Sequence, residues 1–203
     1  MKIIKIDPSS PEPKIIDETI EVLKNGGVVV YPSDTCYGLG ADITNPFALD
    51  KLYKIKRREY NKPISIIVKS IKEIEKIAIV DENQKQFLKK YLPGEITVIL
   101  LNTDFSNFKN NSLGIRMPKY KLLQILAEKF AQPFSSTSAN IAGLPACYSA
   151  EEVIYQFKNN KHQPDLLLDG GILPKRSPST VVNLIKWPPK VLRQGNLKIS
   201  ETK

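Results

Sequence analysis

Four stretches of this sequence gather side chains able to hold and neutralise an anion. Ser33-Asp34-Thr35-Cys36-Tyr37-Gly38-Leu39-Gly40 offers two hydroxyls, a carboxylate, a phenol and two glycines that let backbone N–H groups approach a ligand. Lys56-Arg57-Arg58, with Lys62 and Ser65 soon after, supplies cations. Arginine grips a phosphate or carboxylate with two prongs, whereas lysine acts as a point charge. Ser135-Ser136-Thr137-Ser138-Ala139-Asn140 packs four hydroxyls and an amide into six residues, the composition of a phosphate cradle. Ser179-Thr180 and Arg193 form the fourth set, while Thr97 and Arg116 stand on apolar strands.

The first three sets also have a plainer explanation. A turn followed by a cap accounts for the first, and cations gather at helix C-termini through the helix dipole alone. The hydroxyl-rich third set is evenly divided between a solvated turn and an anion site. Gly38-Leu39-Gly40 is only a fragment of a dinucleotide fingerprint, and no phosphate-binding P-loop sequence occurs. The one histidine, His162, lies in a polar turn, which removes histidine triads and histidine metal sites. Cys36 therefore has no histidine to activate it, and two cysteines, Cys36 and Cys147, make no disulfide framework. Asp34 and Asp169 stand alone and could hold magnesium only if phosphate oxygens completed its shell.

A formal charge of +9 attracts nucleotides, polyphosphates or an RNA backbone. Many lysines, such as Lys85, Lys89 and Lys90, also suit the solvated outer face of a helix. The chain of 203 residues suits one domain with a sizeable core. It has neither an apolar run long enough to cross a bilayer nor a signal-peptide start. These features point to a reduced, cytosolic setting.

The elements that must position these groups follow from periodicity and caps. Glu12 to Asn25 reads as an amphipathic helix, stopped by Gly26-Gly27. Val28 to Tyr31 is a short buried strand, and Asn45-Pro46 opens a helix that delivers Lys56 and Arg58 at its end. Ile64 to Val68, Ile96 to Leu101, Gly114 to Pro118 and Phe134 to Ser138 read as strands. So do Leu166 to Leu168, Thr180 to Val182 and Lys190 to Arg193. Capping boxes at Ser70/Glu73, Asp81/Gln84 and Ser149/Glu152 open helices, and Leu122 to Phe130 marks another. Interleaved strands and helices predict a mixed α/β domain with ligand groups at strand ends.

Taken in order, the polar stretches resemble the YrdC family of threonylcarbamoyl-AMP synthases. Pro32 to Gly40 is similar to the family's P-T-D-T-x-Y-G-L-G, Lys56-Arg57-Arg58 to K-x-R, and Lys62-Pro63-Ile64-Ser65 to K-P-L-S. Pro93-Gly94-Glu95-Ile96-Thr97 resembles P-G-x-x-T, and Gly114-Ile115-Arg116-Met117-Pro118 resembles G-x-R-x-P. Thr137-Ser138-Ala139-Asn140 with Gly143 resembles T-S-A-N-x-S-G. Asp169-Gly170-Gly171, Pro178 to Val182 and Leu192-Arg193-Gln194-Gly195 close the series. Any one motif is weak; the ordered set, from about Gly26 to Gly195, is specific.

This resemblance implies one YrdC-like domain over residues 1–203, in the short form. It implies an α/β fold with a twisted, mostly buried sheet and a basic concave site; the polar tail after about residue 196 is expected to be loose. The implied activity joins L-threonine, bicarbonate and ATP, with Mg2+ accompanying ATP, into threonylcarbamoyl-adenylate and pyrophosphate. The product would pass to the machinery that makes N6-threonylcarbamoyladenosine in tRNA. By motif position, Ser33, Thr35, Tyr37, Arg58, Thr97 and Arg116 would hold threonine and bicarbonate. Lys56, Arg58, Lys62, Ser138, Asn140, Ser179 and Arg193 would hold the nucleotide. The resemblance singles out no general acid, base or protein metal ligand.

Several positions depart from the pattern. Ser33 replaces the usual Thr, Glu59 a common Pro, and Asn183 an Asp. Ile66 and Ile67 occupy a stretch where some members carry a histidine, and Pro174-Lys175-Arg176 is unlike the usual glycine-rich loop. Two rival readings differ in class. One is a relative that binds nucleotide or double-stranded RNA without making the adenylate. The other is a carbamoyl-transfer module like part of the hydrogenase-maturation proteins, disfavoured here by the lack of zinc-finger cysteines and an acylphosphatase segment.

Overall fold

The computed structural model describes residues 1–103 and 111–200. Strand β1 (Lys2–Lys5) leads to helix α1 (Pro13–Lys24), then strands β2 (Val29–Tyr31) and β3 (Gly38–Gly40). Helix α2 (Pro46–Lys56), strand β4 (Ser65–Ile67), helix α3 (Ile71–Ile77) and strand β5 (Ala78–Ile79) follow. The middle of the chain forms α4 (Glu82–Tyr91), β6 (Ile96–Asn102), β7 (Ser112–Arg116), α5 (Lys121–Phe130) and β8 (Phe134–Ser138). Helix α6 (Ala150–Phe157) and strands β9 (Leu166–Asp169), β10 (Thr180–Asn183) and β11 (Lys190–Arg193) complete it.

All the strands join one mixed sheet in the order β1-β9-β2-β3-β8-β4-β7-β6-β10-β11, with β5 against β6. Strands β2 and β9 are covered on both faces and read as nearly unbroken apolar runs, whereas β8 at the centre of the sheet is rich in hydroxyls. Val29, Leu166 and Leu168 turn to α1 and α5, where they meet Ile16, Ile20, Leu126 and Phe130. Val28, Val30 and Leu167 turn the other way, to Leu52 and Ile55 of α2 and to Val153 and Phe157 of α6. A third apolar cluster packs α3 and α4 on Val98, Leu100, Ile115 and Val182. No helix among the described residues is long and apolar enough to cross a membrane.

Three local features differ from the sequence expectations. Gly38-Leu39-Gly40 is a strand, antiparallel to β2 with Tyr31 opposite Gly38. A Cβ on Gly38 would lie 2.6 Å from the Tyr31 ring, so this glycine makes room for the ring as well as bordering the site. The boxes at Ser70/Glu73 and Ser149/Glu152 close one residue early: the glutamates accept from the N–H groups of Lys69 and Tyr148. Only Asp81/Gln84 forms the reciprocal box. The expected loose tail is tied down through Ser200. Leu197 and Ile199 pack on the third cluster, and Leu197 O accepts from Thr180 Oγ1 at 2.7 Å. Alternating apolar residues in that short segment carry the contact.

Candidate active site

Helix α2 begins where Asn45 Oδ1 accepts from the N–H groups of Phe47 and Ala48, with Pro46 opening the first turn. It ends at Arg57, which adopts the left-handed conformation at φ +50°. Such a residue costs about 1 kcal/mol unless neighbours hold it. Asn160 does so: its Oδ1 accepts from Arg57 Nε and Nη2 at 3.3 and 3.2 Å, and its Nδ2 donates to Ile55 O at 2.8 Å. The reversed backbone sends Arg58 to the site, where Nη2 donates to Pro63 O at 3.0 Å.

Lys56 points the other way, into the protein, and is 1% exposed. Its ammonium donates to Ser138 O, Asn140 O and Asn140 Oδ1, which matches three N–H groups to three oxygens. Burial first, and then the Arg58 charge, pulls it down to about 7. Asn140 is equally engaged: Nδ2 donates to Ile141 O and Leu144 O, and Oδ1 also accepts from Ser138 Oγ. Lys56 and Asn140 therefore build the wall that presents Ser138.

The turn after β2 is closed by Ser33, whose hydroxyl donates to Cys36 O at 2.6 Å and accepts from the N–H groups of Thr35 and Cys36. Serine and threonine favour such turns because the side chain mimics the backbone. Asp34 then reaches Arg116 at the end of β7, and both carboxylate oxygens accept from Nη2, at 2.8 and 3.0 Å. Across the sheet, Thr97 and Ser179 share a hydroxyl hydrogen bond of 2.9 Å. Arg193 donates to Ser179 O through Nε and Nη2, at 3.1 and 3.0 Å. Gly195 permits this crossing, since a Cβ there would lie 2.2 Å from Pro178 O.

These parts enclose a cavity of about 330 Å³. Ser33, Thr35, Arg58, Thr97, Arg116, Ser138, Ser179 and Arg193 line it, so eight candidate residues from seven segments converge. Four others do not reach the lining. Tyr37 is fully buried; its hydroxyl donates to Gly171 O and accepts from Gly170 N, while burial raises its pKa. Lys56 and Asn140 lie behind the wall, and Lys62 pairs with Glu59 in solvent at 3.2 Å. The lining also holds Ser136, Tyr148 and Arg176, which the motif reading did not single out as ligand groups. Arg176 had one sequence signal, its place in the atypical Pro174-Lys175-Arg176 loop; Tyr148 had none.

The described lining carries Arg58, Arg116, Arg176 and Arg193 and no carboxylate. Nε of Arg58 and of Arg116 are buried with no hydrogen-bond partner among the described residues. A buried donor without an acceptor is costly, so both have capacity left for a ligand oxygen or a water. Arg193 is pulled below the usual guanidinium range by burial and then by Arg116. Burial raises the Cys36 thiol, which disfavours the thiolate needed for a nucleophile. A second cavity of about 630 Å³ adjoins the first and shares Ser33, Thr35 and Arg176 with it.

Known proteins carry the same architecture. A Methanocaldococcus jannaschii protein, named as a proposed threonylcarbamoyl-AMP synthase, is 33% identical over 204 residues, covering 98% of this chain and 96% of its own. Pyrococcus abyssi Sua5, solved in complex with L-threonine, superposes with a TM-score of 0.88 at 28% identity. The match covers 97% of this chain but 58% of Sua5. Escherichia coli YciO superposes with a TM-score of 0.86 at 28% identity and covers 97% of both chains. The Sua5/YciO/YrdC family model, described as "Telomere recombination", matches residues 21–195. With most of its length matched, this chain belongs to the Sua5/YciO/YrdC family.

Proposed function

We propose that this chain is a threonylcarbamoyl-AMP synthase, forming threonylcarbamoyl-adenylate and pyrophosphate from L-threonine, bicarbonate and ATP. One observation carries the reading: a cavity lined by four arginines and a ring of hydroxyls, with no carboxylate in its described lining. Such a site favours a polyanion over a neutral or cationic ligand.

In the proposed reaction, threonine's amine and bicarbonate give an N-carboxylated threonine and water. Its new carboxylate oxygen attacks the α-phosphorus of ATP, and the bond to the β-phosphate oxygen breaks to release pyrophosphate. Neutralisation and alignment supply the rate in such a step, and no side chain has to trade a proton. Arg58, Arg193 and Ser138 suit the nucleotide phosphates. Arg116 suits the threonine carboxylate, beside Ser33 and Thr35. Lys56 and Asn140 act from behind by holding Ser138.

The described residues include no group of three or more His, Cys, Asp or Glu side chains that could hold a metal, and Asp34 is engaged by Arg116. Mg2+ therefore enters this reading as part of the MgATP substrate. The product would serve a tRNA threonylcarbamoyl-transfer system in the cytoplasm.

The test is pyrophosphate release by purified protein with magnesium, omitting threonine, bicarbonate or ATP in turn. Release that requires all three supports the synthase. No release above the threonine-free control rejects it in favour of a nucleotide- or RNA-binding relative.

A further inference from the structure

We propose that Asn160 is a positioning residue for Arg58: it fixes the last turn of α2 and, through that turn, the place of the guanidinium in the cavity. The inference rests on the synthase reading for what Arg58 meets, and adds to it the residue that aims Arg58.

The end of the helix is the first argument. The last carbonyls of a helix have no partner within it and must find one elsewhere. In α2, Tyr53 O and Lys54 O accept from the N–H groups of Arg58 and Arg57, at 3.0 and 3.2 Å. Those two bonds are local. Lys56 O accepts from Ala142 N at 2.8 Å, in the turn after β8. Ile55 O accepts from Asn160 Nδ2 at 2.8 Å, across 105 residues of sequence. Of these four partners, Asn160 alone is a side chain, and it is 7% exposed.

Asn160 is itself held in place. Its N–H donates to Phe157 O at 2.9 Å, at the end of α6. Phe157 and Ile55 are both fully buried in the apolar cluster that joins α6 to α2. Close packing keeps that spacing constant, so the asparagine bridges two fixed helix ends. Its Oδ1 accepts from the Arg57 side chain while Nδ2 serves Ile55 O, so both ends of the amide are committed.

The third argument is that Arg58 has few holds of its own. Arg116 is gripped by both oxygens of Asp34, and Arg193 donates twice to Ser179 O. Among the described residues, Arg58 donates one side-chain hydrogen bond, to Pro63 O, and its buried Nε has none. Its direction is therefore set largely by the backbone it leaves. That backbone turns at Arg57 with φ +50°, and Asn160 holds Ile55 on one side of the turn and the Arg57 side chain within it. Misplacing an aligned group by about 1 Å can cost about a hundredfold in rate.

The experiment combines NMR of the arginine Nε–H signals with pyrophosphate-release kinetics and melting temperatures. It uses the full chain, Asn160→Ala, Arg58→Lys and the double variant. Loss of a signal in Arg58→Lys assigns it to Arg58. In Asn160→Ala that signal should shift or broaden while the Arg116 signal, from β7, holds. The kcat/KM for ATP should fall about tenfold in Asn160→Ala. It should fall by less than about twofold when the same change is made in Arg58→Lys, because the effect runs through Arg58. Multiplicative kinetic losses with an unmoved Arg58 signal mean a merely structural role and overturn the proposal, however far the melting temperature falls. If Asn160→Ala folds poorly, the comparison moves to Arg57→Gly with and without Asn160→Ala. Glycine takes the left-handed turn without strain, and Asn160→Ala in that background still removes the Ile55 link. The Arg58 signal should be displaced there too, and an undisplaced one overturns the proposal. Wild-type protein without threonine-dependent release rejects the synthase reading, and the Arg58 signal in Asn160→Ala then still decides whether Asn160 places that arginine.

Discussion

Lys56 Nζ donates to both oxygens of Asn140, the backbone carbonyl at 2.9 Å and Oδ1 at 3.3 Å, although 84 residues separate them. With Ser138 O as the third acceptor, the end of α2 is locked to the turn after β8. A motif lysine that reads as a phosphate ligand in sequence is engaged here as an internal brace of the hydroxyl wall.

The first prediction concerns that brace. Lys56→Met should remove nucleotide binding and destabilise the fold by roughly 2–4 kcal/mol, because buried acceptors lose their donor. The native ammonium is pulled to about 7 from an ordinary value of 10.5, so the unfolded chain binds the extra proton between those pH values. The burial cost is complete below about pH 7 and fades as pH rises, so wild-type stability should gain on Lys56→Met across that window. The slope should not exceed about 1.4 kcal/mol per pH unit. Urea unfolding of both proteins at several pH values reads this directly; a constant difference means Lys56 does not titrate there.

A second contrast separates neighbouring arginines. Arg58→Lys keeps the charge but loses the planar fork on the cavity, and kcat/KM should fall about 10- to 100-fold. Arg57→Lys leaves the cavity lining intact and breaks the Asn160 contacts, so its effect should be a lower melting temperature with kcat/KM within a few-fold. Equal kinetic losses would make the pair a general helix-end charge.

The Asp34–Arg116 pair has side chains only 7% and 10% exposed. Removing one partner of such a pair costs about 3–5 kcal/mol, because the other charge stays buried alone. Asp34→Ala should therefore destabilise strongly, and Arg116→Met added to it should recover part of the loss. Chemical denaturation across the four-protein cycle gives the coupling; strict additivity would show that the pair is not coupled.

Ser33 stands where the motif it resembles has threonine, and its hydroxyl makes the turn. Ser33→Thr should remain within a few-fold of wild-type kcat/KM. Ser33→Ala should cost about 1 kcal/mol of stability and raise the KM for threonine, since the Thr35 N–H beside it loses its acceptor. A Ser33→Ala protein with an unchanged KM would remove this turn from the threonine site.

The sequence alone determined what is local or covalently ordered. Asn45-Pro46 starts α2 because both residues act within one turn, and the alternation of Val28 to Tyr31 between two apolar clusters follows from strand geometry. The family was legible because its motifs are short and keep their order along the chain, and the motif positions that converge on the cavity follow from it. Tertiary structure alone decided which way each polar group faces. Lys56 and Arg58 are two residues apart, yet the left-handed turn at Arg57 sends one inward and the other to the cavity. Gly38 accommodates the Tyr31 ring only because β2 and β3 pair antiparallel in that register. Arg176 meets Glu95 across 81 residues of sequence. Each of these depends on packing between distant segments, and neither propensity nor spacing within one segment encodes that geometry.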